Sequence, residues 1–420
     1  MRPLRQMAVV LVLVLAGPPG VRAATPAKTI FDHAASAWAV GTIKLYAPMK
    51  FRNDRLHAFN GQIVELLWAK EGKPRNIMLV YEVASDEISK PFFNENDVFF
   101  APVALLAENS YWRDNLANTP KHGIAGGRRN VFRGEEMKEA RRILGPFLEA
   151  QGIKGRERFS RQVAAAANGL DSPVERLRED AARFLTSHPS LGRDFPAEAR
   201  PPVARYLSSS APPAERAALI GAIGQAKVEA LKPDLESLGK GSDSVAVAAL
   251  AALEGMGKPT PAERLTAMTN SGSVDLQAFA AERLGRLAAT DPPLLERTAK
   301  LLEPGHPEPV RIAAANGLGA SSAAGAVEPL AAAVARGDGA SRAAAEALAT
   351  IGGKAAHEAL KSALVEGKGS TAAAAVHGLR MVRGCSDCGQ VLAAQHEKHP
   401  EKGIRDLIAV VMELPVRHEH

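Results

Sequence analysis

Pro309-Val310-Arg311-Ile312-Ala313-Ala314-Ala315-Asn316-Gly317-Leu318-Gly319 is a run of small residues that ends on a leucine and breaks at glycine. The same pattern returns in residues 214–225, 245–257, 276–288, 340–352 and 371–383. The anchor of each copy is Ile223, Leu253, Leu284, Leu318, Leu348 or Leu379. Successive anchors are separated by about 30 residues, a period that marks helical repeat arrays. Leu185, within residues 177–186, is an earlier and looser copy, and Val411 stands at a similar interval beyond Leu379. After its break each copy continues into a second apolar stripe: Leu231, Leu235 and Leu238; Val327, Leu330 and Val334; Leu360 and Leu364. One repeat is therefore two short helices and a turn. Helices this short are marginal alone in water, so stacked neighbours must supply the core and the array folds as a quasi-one-dimensional solenoid. Gly224, Gly257, Gly319 and Gly353 fall where helix ends with φ > 0 are expected.

The run from Pro309 to Gly319 resembles the first helix of the short HEAT-like repeats named from phycobilisome lyases, and the resemblance covers residues 171–414. It implies an all-α solenoid. Members of that family include lyases, hydroxylases and scaffolds, so the fold does not select an activity. Solenoids present long concave faces, and the expected function is a non-enzymatic scaffold that binds a protein or peptide partner there, with no cofactor.

The first 150 residues have a different vocabulary. Of the 20 aromatic residues, 15 lie between Phe31 and Phe147, which implies a second kind of core and places a domain boundary near 150–165. Residues 38–46, 62–69, 77–83 and 97–106 are rich in β-branched and aromatic residues between turn formers, and read as strands. Glu71-Gly72-Lys73-Pro74-Arg75-Asn76 joins the second and third at hairpin length. Residues 135–151 then form an amphipathic closing helix. Strand order and the opening Trp38-Ala39-Val40-Gly41-Thr42-Ile43 resemble the OB-like or netrin-like modules of exported bacterial proteins. The expected fold class is α+β multidomain: a signal peptide at 1–23, a small β-rich domain at 24–155, an all-α HEAT-type solenoid at 156–414 and a polar tail at 415–420.

Arg2 and Arg5 precede an apolar run of ten residues, Met7 to Ala16, and a Gly-Pro breaker. That layout is a secretory signal with a cut after Ala23, and the run is half the roughly 20 residues a membrane span needs. The expected location is periplasmic or extracellular, with no transmembrane span. Cleavage removes three arginines and no acid, lowering the formal charge from +6 to +3. So small an excess gives no basic footprint for nucleic acid.

The only cysteines, Cys385 and Cys388, form a CxxC in Gly384-Cys385-Ser386-Asp387-Cys388-Gly389. Aligning Gly384 with Gly353 puts both at the start of a second helix, where thiolates are stabilised. A redox or metal-binding module is the alternative function; a local disulfide pinning one turn is the structural reading. Gly389 in place of histidine disfavours haem attachment. His377, His396 and His399 are near in sequence, but their spacing is shorter than that of a zinc finger. His357-Glu358 and His396-Glu397 resemble the His-Glu pairs of a HEAT-type di-iron hydroxylase, yet the two occupy non-equivalent repeat positions. Residues 121–130, Gly-rich and basic, lack the order of a phosphate cradle and read as a loop. Neither GxSxG nor HExxH occurs.

Overall fold

The computed structural model describes residues 28–49, 56–82, 92–106, 121–188, 192, 195–382 and 384–413. The expected signal segment at 1–23 and the expected polar tail at 415–420 lie outside them. The chain divides into two compact units, one of residues 1–188 with 194–202 and the other of 189–193 with 203–420. The change of composition near 150–165 and the division into compact units thus fall at different places.

In the first unit, Thr29 starts α1 (Ile30–Ser36) as one half of a capping box: its side chain accepts from the Asp32 N–H while the Asp32 carboxylate accepts from the Thr29 N–H at 2.8 Å. Five strands follow: β1 (Ala39–Met49), β2 (Leu56–Ala69), β3 (Asn76–Glu82), β4 (Val98–Leu105) and β5 (His122–Ile124). They close into a barrel of order β1-β2-β3-β5-β4, with β4 returning to β1. Every pair is antiparallel except β3 with β5, which run parallel through Leu79 and His122. Alternate residues fill the interior, among them Ile43, Leu45, Leu79, Phe99, Ala101 and Val103, all buried. At Gly41 a Cβ would stand 2.5 Å from the Glu65 carbonyl oxygen, so glycine permits β1 and β2 to close where their register shifts.

Residues 121–130 differ from the expected loop. They contain β5, which completes the barrel, and a 3-10 turn at Arg128–Asn130. A three-residue strand has too little alternation to be seen as a period.

Helices α2 (Gly134–Glu149), α3 (Arg156–Gly169) and α4 (Glu175–Ser187) complete this unit. Phe31, Phe147 and Phe184, from α1, α2 and α4, meet with ring centroids 5.0 to 5.4 Å apart. Asp180 accepts the Ile30 N–H at 2.9 Å and pairs with Arg129. These contacts attach α4 to the barrel side, although Leu185 within it resembles a repeat anchor.

After α5 (Arg200–Leu207), which crosses the division, the second unit is a stack of helices. Helices α6 (Pro213–Ala226), α8 (Ser244–Gly255), α10 (Val274–Leu287), α12 (Glu308–Ser321), α14 (Ser341–Ile351) and α16 (Ser370–Met381) form one row, each packed on the next. Between them run α7 (Lys232–Leu238), α9 (Ala262–Met268), α11 (Pro292–Lys300), α13 (Val327–Ala335), α15 (Gly353–Glu366) and α17 (Cys388–Lys398), and α18 (Lys402–Val411) ends the array. Ile223, Leu253, Leu284, Leu318, Leu348 and Leu379 are all at most 5% exposed.

The first row is packed at backbone contact. A Cβ on Gly285 would lie 2.6 Å from the Gly317 carbonyl carbon, one on Gly319 2.8 Å from Ala347 Cα, and one on Gly224 2.6 Å from Ala252 Cβ. Of the four glycines expected to end helices, Gly257 and Gly353 do have positive φ, at +83° and +77°. Gly224 and Gly319 instead lie buried inside helices, and their role is close approach of the next helix.

A buried arginine of this array reaches the turn before α14. Arg311, 10% exposed along its side chain, pairs with Asp338, and Arg336 approaches the same carboxylate. Asp338 also accepts the Ala340 N–H at 3.0 Å ahead of α14. Burial alone would raise the Asp338 pKa, but the Ala340 N–H and the two arginines hold it below the usual carboxylate value. A depressed carboxylate contributes stability above its unfolded pKa of about 3.9, and that contribution is lost as pH falls through the lower folded value. Breaking a buried pair costs about 3–5 kcal/mol; with Asp338 27% exposed, Asp338→Asn is expected to cost on the order of 2 kcal/mol at neutral pH. Urea unfolding at pH 7 and pH 3 checks this: the gap between wild type and variant should narrow at the lower pH.

Candidate functional site

Among the described residues, one group of three potential metal-ligating side chains comes together: Cys385, Asp387 and Cys388. The fold positions it through ordinary turn chemistry. Helix α16 stops at Met381 with Val382 extended, Gly384 takes φ +74°, and α17 begins at Cys388. Cys385 and Cys388 are disulfide-bonded, with their Cα atoms 5.6 Å apart. Cys385 is half-buried, while Cys388 is 4% exposed and packs with the repeat core. Cys388 is thus the first residue of the second-row helix, and Cys385 lies in the turn before it.

Helix α15 supplies the polar surroundings. Lys361 Nζ donates to Asp387 Oδ2 at 2.7 Å and to Glu358 Oε1 at 3.0 Å. The Lys361 bond holds the Asp387 carboxyl below its usual range, with the charge of His357 adding to the effect. The same bond to Asp387, followed by that to Glu358, raises Lys361 above the ordinary lysine value. The other carboxylate oxygen, Oδ1, lies 3.3 Å from Cys385 Sγ. Asp387 stands at the N-cap of α17, yet makes no side-chain bond to that helix. His357 Nε2 is buried without a hydrogen-bond partner.

The remaining histidines go elsewhere. His396 Nδ1 is 3.2 Å from the Arg405 carbonyl, and His399 Nδ1 accepts the Glu401 N–H at 3.2 Å, so both secure the α17–α18 turn. Burial and then Arg342 push the His377 imidazole on α16 below its ordinary pKa, with Glu346 opposing and Arg380 adding.

No family model matches this chain, and no curated protein sequence matches it. Several solved structures match the chain in part, among them two at 18% identity. Human deoxyhypusine hydroxylase in complex with glycerol is 18% identical, with a TM-score of 0.27 over 60% of this chain and 96% of that one. An engineered protein is 18% identical, with a TM-score of 0.31 over 67% of this chain and 91% of that one. At these scores neither likeness decides anything about activity.

With the thiols joined, the loop offers no thiolate to a metal. Lys361 and Asp387 were not apparent in sequence, because they are 26 residues apart and meet only through packing of α15 against α17. A disulfide that spans three residues restrains little chain. Its stabilisation is expected to fall below the ~3 kcal/mol of a 15-residue loop. Comparing Cys385→Ser/Cys388→Ser with wild type in denaturant unfolding checks this; a loss well above that value would make the bond a principal structural fastening.

Proposed function

We propose that this protein is a non-enzymatic scaffold of the cell envelope that binds a protein or peptide partner along the first helix row of its repeat unit. The observation that supports the reading is the backbone contact within that row. A stack whose helices are closer on one side curves toward that side, which makes the exposed ridge of the first row the inner, concave surface. That ridge carries Ala251, Gly255, Asn316, Ala320 and Thr350, all exposed, with Glu282 and Glu346 half-exposed between them. Small and polar side chains leave the backbone approachable and suit an extended partner held by many modest contacts.

The repeat period and paired helices favour assignment to the short HEAT-like repeats. In the other unit, a closed five-strand barrel with parallel β3 and β5 favours an OB-like reading. The basic, apolar and Gly-Pro order of residues 1–20 supports export, and no helix among the described residues is long and apolar enough to cross a membrane. The formal charge of +3 after cleavage argues for protein rather than nucleic acid as partner.

Full-length protein, captured with its bound partners from the native envelope fraction, tests the surface. Asn316→Arg/Thr350→Arg, on the first-row ridge, should reduce recovery of the partner at least about tenfold, the effect of losing roughly 1.4 kcal/mol. Ala332→Arg/Ala355→Arg, exposed on α13 and α15, should leave recovery unchanged. Equal losses from both pairs, or none from either, would remove the first row as the binding face.

A further inference from the structure

We propose that the Cys385–Cys388 pair is a thiol–disulfide exchange centre that accepts electrons from dithiols. It is independent of the binding ridge and rests on three observations at the α16–α17 turn.

The first is the unequal exposure of the two sulfurs. Cys385 is half-buried in the turn, whereas Cys388 is 4% exposed and embedded in the core. Cys385, packed only at the edge of that core, is therefore the cysteine an incoming thiolate attacks, and the bond breaks so that the electron pair leaves on Cys388.

The second is the destination of that charge. Cys388 opens α17, an 11-residue helix, and the first-turn N–H groups of a helix have no intrahelical acceptor. In this chain α8, α10 and α11 satisfy such groups with the side chains of Asp243, Ser273 and Asp291. At α17 the corresponding carboxylate, that of Asp387, makes no such bond, because Lys361 holds one of its oxygens and the other is turned to Cys385. The helix start is left to stabilise a thiolate on Cys388. Lys361 meanwhile offsets the carboxylate charge that would otherwise repel an approaching thiolate.

The third is that the turn is defined without the bond. Gly384 supplies the reversal, α17 packs on both α15 and α16, and the bridge closes only three residues. Reduction can proceed while the surrounding core stays in place. A disulfide whose leaving thiolate is stabilised is oxidising and exchanges readily, unlike a structural bridge.

The exchange balances as a single turnover. A substrate thiolate attacks Cys385 Sγ, forming a mixed disulfide and releasing the Cys388 thiolate. The second substrate thiol loses its proton to solvent and attacks its own partner sulfur, releasing Cys385. The substrate dithiol becomes a disulfide, and the protein disulfide becomes a dithiol that takes up the two protons.

The test uses oxidised full-length protein, acid quenching, alkylation and intact mass measurement. An unstructured peptide with two cysteines, supplied at one equivalent, should be oxidised while the protein gains two alkylatable thiols. Glutathione, a monothiol, should reduce the protein more slowly than the peptide at equal thiol concentration; a faster reaction with glutathione would overturn the assignment of a dithiol substrate. Lys361→Ala frees Asp387 to cap α17 and compete for the same N–H groups, and should lower the equilibrium constant for reduction about tenfold. Its circular dichroism and melting curve should match wild type, which separates this effect from unfolding. A bond that stays oxidised under both thiols, or a Lys361→Ala protein with unaltered exchange, would overturn the proposal. So would a reduced protein that binds one equivalent of added zinc and is thereby shielded from alkylation and exchange, which would make the turn a metal site.

Discussion

The repeat unit depends on how closely the helices of its first row approach one another. Where two helices meet at Gly285 and Gly317, or at Gly319 and Ala347, there is no room for a larger side chain. Such contact places main chain against main chain, and leucines flanking each junction fill the remaining space; Leu284, Leu318 and Leu348 are fully buried there. Protein interiors are packed nearly as densely as organic crystals, so one added carbon at such a junction must be absorbed by displacement of a whole helix.

The same array determines what the cysteines can do. Helices α15 and α17, neighbours in the second row, bring Lys361 to Asp387 and withdraw the carboxylate from the start of the helix on which Cys388 sits. The half-buried cysteine and the buried one are then unequal in both burial and electrostatic support.

The helix stack could be read from sequence because its signal is repeated: a leucine or isoleucine, following small residues that are mostly alanine, returns about every 30 residues from Ile223 to Leu379. Four barrel strands were legible through their β-branched and aromatic runs. Three features were not. Strand β5 is short, and it forms only because β3 and β4 are both present to pair with it. Helix α4 carries a leucine in the repeat pattern, but Phe184 and Asp180 hold it to α1 and α2, Asp180 reaching Ile30 across a separation of 150 residues. Glycines within the first row were indistinguishable from helix-ending glycines, since composition does not report φ. Helix α1 did leave a local signal, the Thr29-x-x-Asp32 capping box, ahead of Phe31.

Substitution at the tightest junction addresses the central claim most directly. A Cβ at Gly317 would run into the main chain at Glu282 of α10, whereas a Cβ at Gly305, a turn residue, meets nothing within 4 Å. Urea unfolding of full-length Gly317→Val and Gly305→Val should show Gly317→Val destabilised by several kcal/mol, on the order of the larger overpacking penalties, with Gly305→Val nearly unaffected. Equal stability of the two variants would contradict a stack held by close approach of its first helix row.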